Sequence, residues 1–160
     1  MAGPRRDADI DRIRAASRRL VRELGFMRPT LAGTDLPPSA VHALIEIGAR
    51  KSMTARELGD ILVLEKSSIS RMLRKLVERG ELTEGASATD GRAKPLSLTA
   101  KGRATLGRID DFARRQVSAA LGAMKPGARR DLAVHLGAYA DALKASRRDQ
   151  AKGSLHDADG

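Results

Sequence analysis

Residues 54–80 read TARELGDILVLEKSSISRMLRKLVERG, two apolar-periodic stretches joined by a short connection and closed by a glycine. Thr54, followed three positions later by Glu57, forms a capping box: a hydroxyl and a carboxylate each satisfy a backbone N–H that the start of a helix leaves free. The helix over 53–62 then places Leu58, Ile61 and Leu62 on one face. After V-L-E-K, Ile69, Met72, Leu73 and Leu76 repeat the same spacing on a second helix, and Gly80 suits its left-handed cap. Val63 stands in the intervening turn. A β-branched side chain resists positive φ, so this turn is expected not to be left-handed.

Working outward, E-L-T-E-G-A-S (81–87) and P-L-S-L-T (95–99) partly alternate and flank A-T-D-G-R-A-K (88–94). Asp-Gly between such stretches predicts a β-hairpin, with Gly91 supplying the positive φ of the turn. Pro95 cannot donate to a ladder and requires an edge position. Upstream, an amphipathic helix is expected over 7–25, then a loop at 26–37 punctuated by Pro29, Gly33 and Pro37. A helix follows from Pro38 to about Gly48, with Val41, Leu44, Ile45 and Gly48 on its apolar or small face. Downstream, a helix from Thr99 to about Met124 breaks at Lys125-Pro126-Gly127 before a last helix to about Ser146. The expected fold is mainly α with a small β-hairpin wing. A winged helix-turn-helix (about 38–99) sits between longer helices (7–25 and 99–146), in a single domain over 7–146. Residues 1–6 are expected to be flexible and 147–160 to form a disordered tail.

The chain has 160 residues, so one domain is expected. Thirty Lys plus Arg against twenty Asp plus Glu give a net charge of +10, which suits a polyanionic partner, nucleic acid ahead of an acidic membrane surface. Residues 50–103 hold twelve basic and seven acidic residues, whereas 31–49 hold two acidic and none basic. No apolar run approaches membrane-spanning length, the N-terminus lacks a signal-peptide core, and there is no cysteine. A cytoplasmic protein without a membrane association is expected.

On a helix over 66–79, Ser67, Arg71, Arg74 and Glu78 point away from the apolar face, flanked by Ser68 and Lys75. Arg can donate twice to guanine, serine reaches phosphates or base edges, and a recognition helix reads bases with its N-terminal residues. The candidate groove contacts are Ser67, Ser68, Ser70 and Arg71, with Thr54, Lys66, Arg74 and Lys75 completing this part of a double-stranded DNA surface. A solvated face chosen for solubility is the alternative reading of such a stripe taken alone.

Together these residues resemble the multiple-antibiotic-resistance-type (MarR) transcriptional regulators. The resemblance rests on Asp90-Gly91-Arg92-Ala93-Lys94 followed by Leu98-Thr99-Ala100-Lys101-Gly102, and on the two helices quoted at the outset; it extends over about residues 8–145. It implies a homodimer, held by the N-terminal and two C-terminal helices, that binds palindromic DNA and releases it when a small molecule binds. It implies that Arg92 enters the minor groove and that Asp90 orients it; Lys94 is a further candidate phosphate contact. A narrow minor groove concentrates negative potential, and a held guanidinium loses less entropy on entering it. Glu84-Gly85 departs from the family pattern, adding a repulsive charge where arginines are frequent.

No enzyme is indicated. His42, His135 and His156 are scattered, and neither a metal-ligand spacing nor a glycine-rich phosphate loop occurs. Asp110 and Asp111 point about 100° apart on a helix, which disfavours a shared cation. No cofactor is expected. The resemblance places an effector pocket between the dimerisation helices and the winged domain, with Arg22, Phe26, Met27 and His42 as candidates for a small aromatic or phenolic effector; a structural His42 is the competing reading. The helix over 99–124 would reach nearly 40 Å, more than a winged domain needs, and its surplus apolar face predicts a dimer.

Overall fold

The computed structural model describes residues 4–86 and 94–156. Its elements run α1 (Pro4–Glu23), α2 (Pro38–Arg50), α3 (Ala55–Leu62), α4 (Lys66–Glu78), β1 (Leu82–Glu84), β2 (Leu96–Leu98), α5 (Ala100–Gly122) and α6 (Pro126–His156). They fall into two compact units, Met1–Arg114 and Arg115–Gly160. The first holds α1, the helix-turn-helix, the strands and most of α5; the second holds the rest of α5 and α6.

Isolated helices of 8 and 13 residues are marginal in water, so α2, α3 and α4 depend on burial. Leu44 and Ile47 of α2, Leu58 of α3, Leu76 of α4, Leu82 of β1 and Ile109 of α5 are among the largest fully buried side chains. Each contributes about 1.5–3 kcal/mol on leaving water. Gly48 lets α2 approach α5 and β2, because a Cβ there would collide with the Leu106 side chain and lie 3.1 Å from Leu98 Cδ1.

The strands pair antiparallel with Leu82 opposite Leu98 and Glu84 opposite Leu96. Met53, just ahead of α3, adds a bridge on the other side of β2: Leu96 N–H donates to the Met53 carbonyl at 2.8 Å, and Met53 N–H donates back at 3.2 Å. The helix-turn-helix is thereby stitched to the hairpin. Pro95 meets its constraint by preceding β2; its carbonyl accepts from Gly85 N–H at 2.7 Å.

Three expectations need correction. Val63 does adopt the left-handed conformation, at φ 56° and ψ 46°. Its N–H and that of Leu64 both donate to the Gly59 carbonyl, and Gly59 also packs close to Ile69. The tight α3–α4 packing therefore outweighs a backbone cost of about 1–2 kcal/mol. At the start of the chain, α1 begins at Pro4, inside the segment expected to be flexible; proline is preorganised for a first helical turn. At the other end, α6 runs to His156, through most of the expected tail. Residues 138–152 contain no Gly or Pro and are rich in Ala, Arg, Lys and Gln, all strong helix formers.

Candidate nucleic-acid interface

The capping box at the start of α3 forms as its residue types require. Glu57 N–H donates to Thr54 Oγ1 at 3.2 Å, while Thr54 N–H and the Thr54 hydroxyl donate to Glu57 Oε2 at 2.7 and 2.8 Å. These bonds, the backbone one first, hold the Glu57 carboxyl below its ordinary value of 4.5. Thr54 thus spends its hydroxyl hydrogen within the cap and offers an outside partner only a lone pair, which a phosphate oxygen cannot use.

Helix α4 sorts its faces as the spacing predicts. Ile69, Leu73 and Leu76 are buried; Met72 and Ser68 are half-buried; Lys66, Ser67, Ser70, Arg71, Arg74, Lys75 and Glu78 are exposed. Four cations and two exposed serine hydroxyls therefore occupy the first three turns without a carboxylate among them. That surface fits an anionic groove both in charge and in donor chemistry. No side chain caps its N-terminus at Glu65, so the first N–H groups also face outward.

The C-terminal end of α4 is closed by a Schellman motif: Gly80, at φ 71°, donates to the Val77 carbonyl at 2.9 Å and Glu81 N–H to that of Leu76 at 2.9 Å. The neighbouring L-T-A-K-G stretch locks onto this closure. Thr99 Oγ1 accepts from Gly102 N–H at 3.0 Å, capping α5, and donates to the Gly80 carbonyl at 2.6 Å. Lys101 Nζ donates to the Arg79 carbonyl, and Gly102 permits a backbone approach to Glu81 that any Cβ would block. Arg79 also pairs with Asp35, ahead of α2, at 2.5 Å; this bond holds the Asp35 carboxyl below its ordinary 3.8. Gly80 and the Thr-x-x-Gly stretch carried a sequence signal for this joint; the Lys101 and Arg79 contacts did not.

In the wing, Lys94 pairs with Glu84 at 3.5 Å. The acidic residue that looked purely repulsive thus has a cation across the hairpin. Asp90 and Arg92 lie outside the described residues. Among the effector candidates, the rings of Phe26 and His42 meet, with centroids 5.2 Å apart and tilted by 33°. Arg22 and Met27 face solvent instead, Met27 being 75% exposed. Cavities of about 440 Å³ between the α2 start and α4, 530 Å³ between α2 and α5, and 440 Å³ between α3 and α4 are lined by none of these four residues. Among the described residues no cluster of His, Asp or Glu could hold a metal ion, and no helix is long and apolar enough to cross a membrane.

The MarR family model matches residues 34–93, from the loop ahead of α2 past β1 and short of β2. The segment that holds the helix-turn-helix, less than half of the chain, is thus similar to the MarR family. Its members are transcriptional regulators that bind DNA, not enzymes. No curated protein matches this chain. Among solved structures, FabT of Streptococcus pneumoniae in complex with DNA is similar at TM-score 0.73 and 20% identity, over 85% of this chain and 98% of that one. BpsR of Bordetella bronchiseptica, whose DNA binding is regulated by 6-hydroxynicotinic acid, aligns at TM-score 0.66 and 17% identity, covering 81% and 98%. The reduced form of MarR from E. coli aligns at 0.66 and 19%, covering 79% and 93%. At these identities the likeness is one of fold.

Proposed function

We propose that this chain is a cytoplasmic, homodimeric, sequence-specific repressor of the MarR family that binds palindromic operators and responds to a small aromatic or phenolic effector. The observation that carries sequence reading is the α4 face: Ser67, Ser70 and Arg71 lie exposed near its start, backed by Lys66, Arg74 and Lys75, over the buried Ile69, Leu73 and Leu76. Ser68 and Thr54 lie at its margin. Arg92, oriented by Asp90, reaches a flanking minor groove, and Lys94 contacts a phosphate once DNA competes with Glu84.

Exposed apolar side chains support the dimer. Ile10, Ile13, Leu20 and Val21 on α1 are 42–46% exposed, and Leu136, Tyr139 and Leu143 recur at helical spacing on α6. A dimer requires half-sites about one helical turn, roughly 10 bp, apart. The Phe26–His42 pair supports an effector contact that a planar ring could extend, with Arg22 and Met27 on adjoining chain.

The decisive experiment selects bound duplexes from a random pool at fixed salt and measures the solution mass of the protein. Enrichment of a palindrome by a dimer is the expected result. The net charge of +10 favours one rival, a nucleoid-type protein of the same fold with little sequence preference. Equal competition by random and selected duplexes would establish that rival.

A further inference from the structure

Among the described residues, Glu81 is the buried charged side chain, and its burial is hard to justify by stability. It follows the Schellman closure of α4 and precedes β1, with its side chain only 3% exposed. Its Oε1 lies 3.7 Å from Lys101 Nζ, and among the described residues no group donates to Oε2. Half-satisfied buried carboxylates are costly, and an apolar residue of similar size would ordinarily be more stable. Lys101 in turn donates to the carbonyl of Arg79, the C-cap of α4, and Arg79 pairs with Asp35 ahead of α2. The Glu81 carbonyl accepts from Thr99 N–H at 3.1 Å, where β2 passes into α5. One point therefore joins the exit of α4, the start of β1, the first turn of α5 and the approach to α2.

We infer that Glu81 and Lys101 form a clamp that sets the angle of the recognition helix, making Glu81 a positioning residue for base reading. This rests on the regulator reading above. From Lys66 to Glu78, α4 spans about 18 Å, so a rotation of about 5° at the clamped end moves the Ser67 end by about 1.5 Å. Recognition geometry tolerates on the order of 0.5 Å. The buried apolar face of α4, Ile69, Leu73 and Leu76, is held by burial, which is non-directional. The ion pair supplies the directional restraint that packing lacks, at a cost in stability.

The test uses the full chain, a duplex enriched from the random pool and a random duplex of equal length. Glu81→Met is expected to unfold at an equal or higher temperature while losing roughly tenfold in its preference for the enriched duplex. Lys101→Met should lose as much preference, Lys101→Arg should keep it, and the double Met variant should be no worse than either single one, because the pair acts as a unit. Glu81→Met with wild-type preference overturns the clamp. Should Glu81→Met fail to fold, the exposed Lys101 decides: equal preference in Lys101→Met and Lys101→Arg overturns the clamp as well. In either case an intact wild-type preference leaves the regulator reading standing. A wild-type chain that binds both duplexes alike overturns both.

Discussion

Adding one methyl group at Gly102 tests the joint between the DNA-reading unit and α5. Gly102 is the third residue of α5 and is buried. A Cβ there would fall well inside contact distance of the Glu81 carbonyl oxygen, 3.1 Å from the Glu81 carbonyl carbon and 3.3 Å from Leu98 Cδ2. The oxygen cannot step aside freely, because it accepts from Thr99 N–H at 3.1 Å and shares the Thr99 hydroxyl hydrogen, at 3.2 Å, with the nearer Gly80 carbonyl. Overpacking of this kind costs about 1–3 kcal/mol, and each weakened hydrogen bond about 1 kcal/mol more. Replacing Gly by Ala within a helix returns about 0.5–1 kcal/mol. Gly102→Ala should therefore destabilise the protein by about 2–4 kcal/mol, lowering Tm by roughly 5–15 °C at this chain length. Gly107→Ala is the internal control. It lies in the same helix with nothing within 4 Å of the added atom, so it should stabilise by about 0.5–1 kcal/mol. Both are read by far-UV circular dichroism during thermal and urea unfolding. Gly102→Ala unfolding at or above the wild-type temperature would refute the close-approach argument.

Further outcomes follow from the same geometry. Arg71→Ala should weaken binding to the selected duplex by about 1–3 kcal/mol and relax preference at one base position; uniform weakening over all sequences would reduce Arg71 to a phosphate contact. Arg92→Ala should cost a similar amount, and unchanged affinity would remove it from the interface. Glu84→Gln should free Lys94, tightening binding and steepening its dependence on salt by roughly one ion; weaker binding would show that Glu84 positions Lys94 productively. Thr54→Ala should cost about 1 kcal/mol of stability in urea titrations, and a loss-free variant would remove the cap from the account. Because the Glu57 carboxyl is held low in the folded state, its contribution is full above 4.5 and fades as pH falls through the depressed value. The stability gap between wild type and Glu57→Gln should close over that acid range. A gap independent of pH would show that charge plays no part.

Much of this was legible in order and type but not in placement. The capping box, the apolar face of α4, the glycine at its end and the Thr99 start of α5 all act over four residues or fewer, where one sequence window contains both partners. Val63 reads wrongly from the same kind of window: its intrinsic preference is local, while the force that overrides it comes from α3 meeting α4. The effector candidates divide similarly, with Phe26 and His42 brought together across the loop and Arg22 and Met27 left in solvent.

By itself, the sequence determined the helix-turn-helix, the hairpin and the cationic face of α4, because helical periodicity and capping chemistry are properties of neighbouring residues. Only the tertiary structure decided that Leu96 bridges to Met53, that Lys94 meets Glu84, and that Glu81 lies buried beside Lys101. The members of each pair lie ten or more positions apart in the chain. Its members meet because burying the leucines of α2, α3, α4 and α5 together leaves the polar groups between them few other places to go.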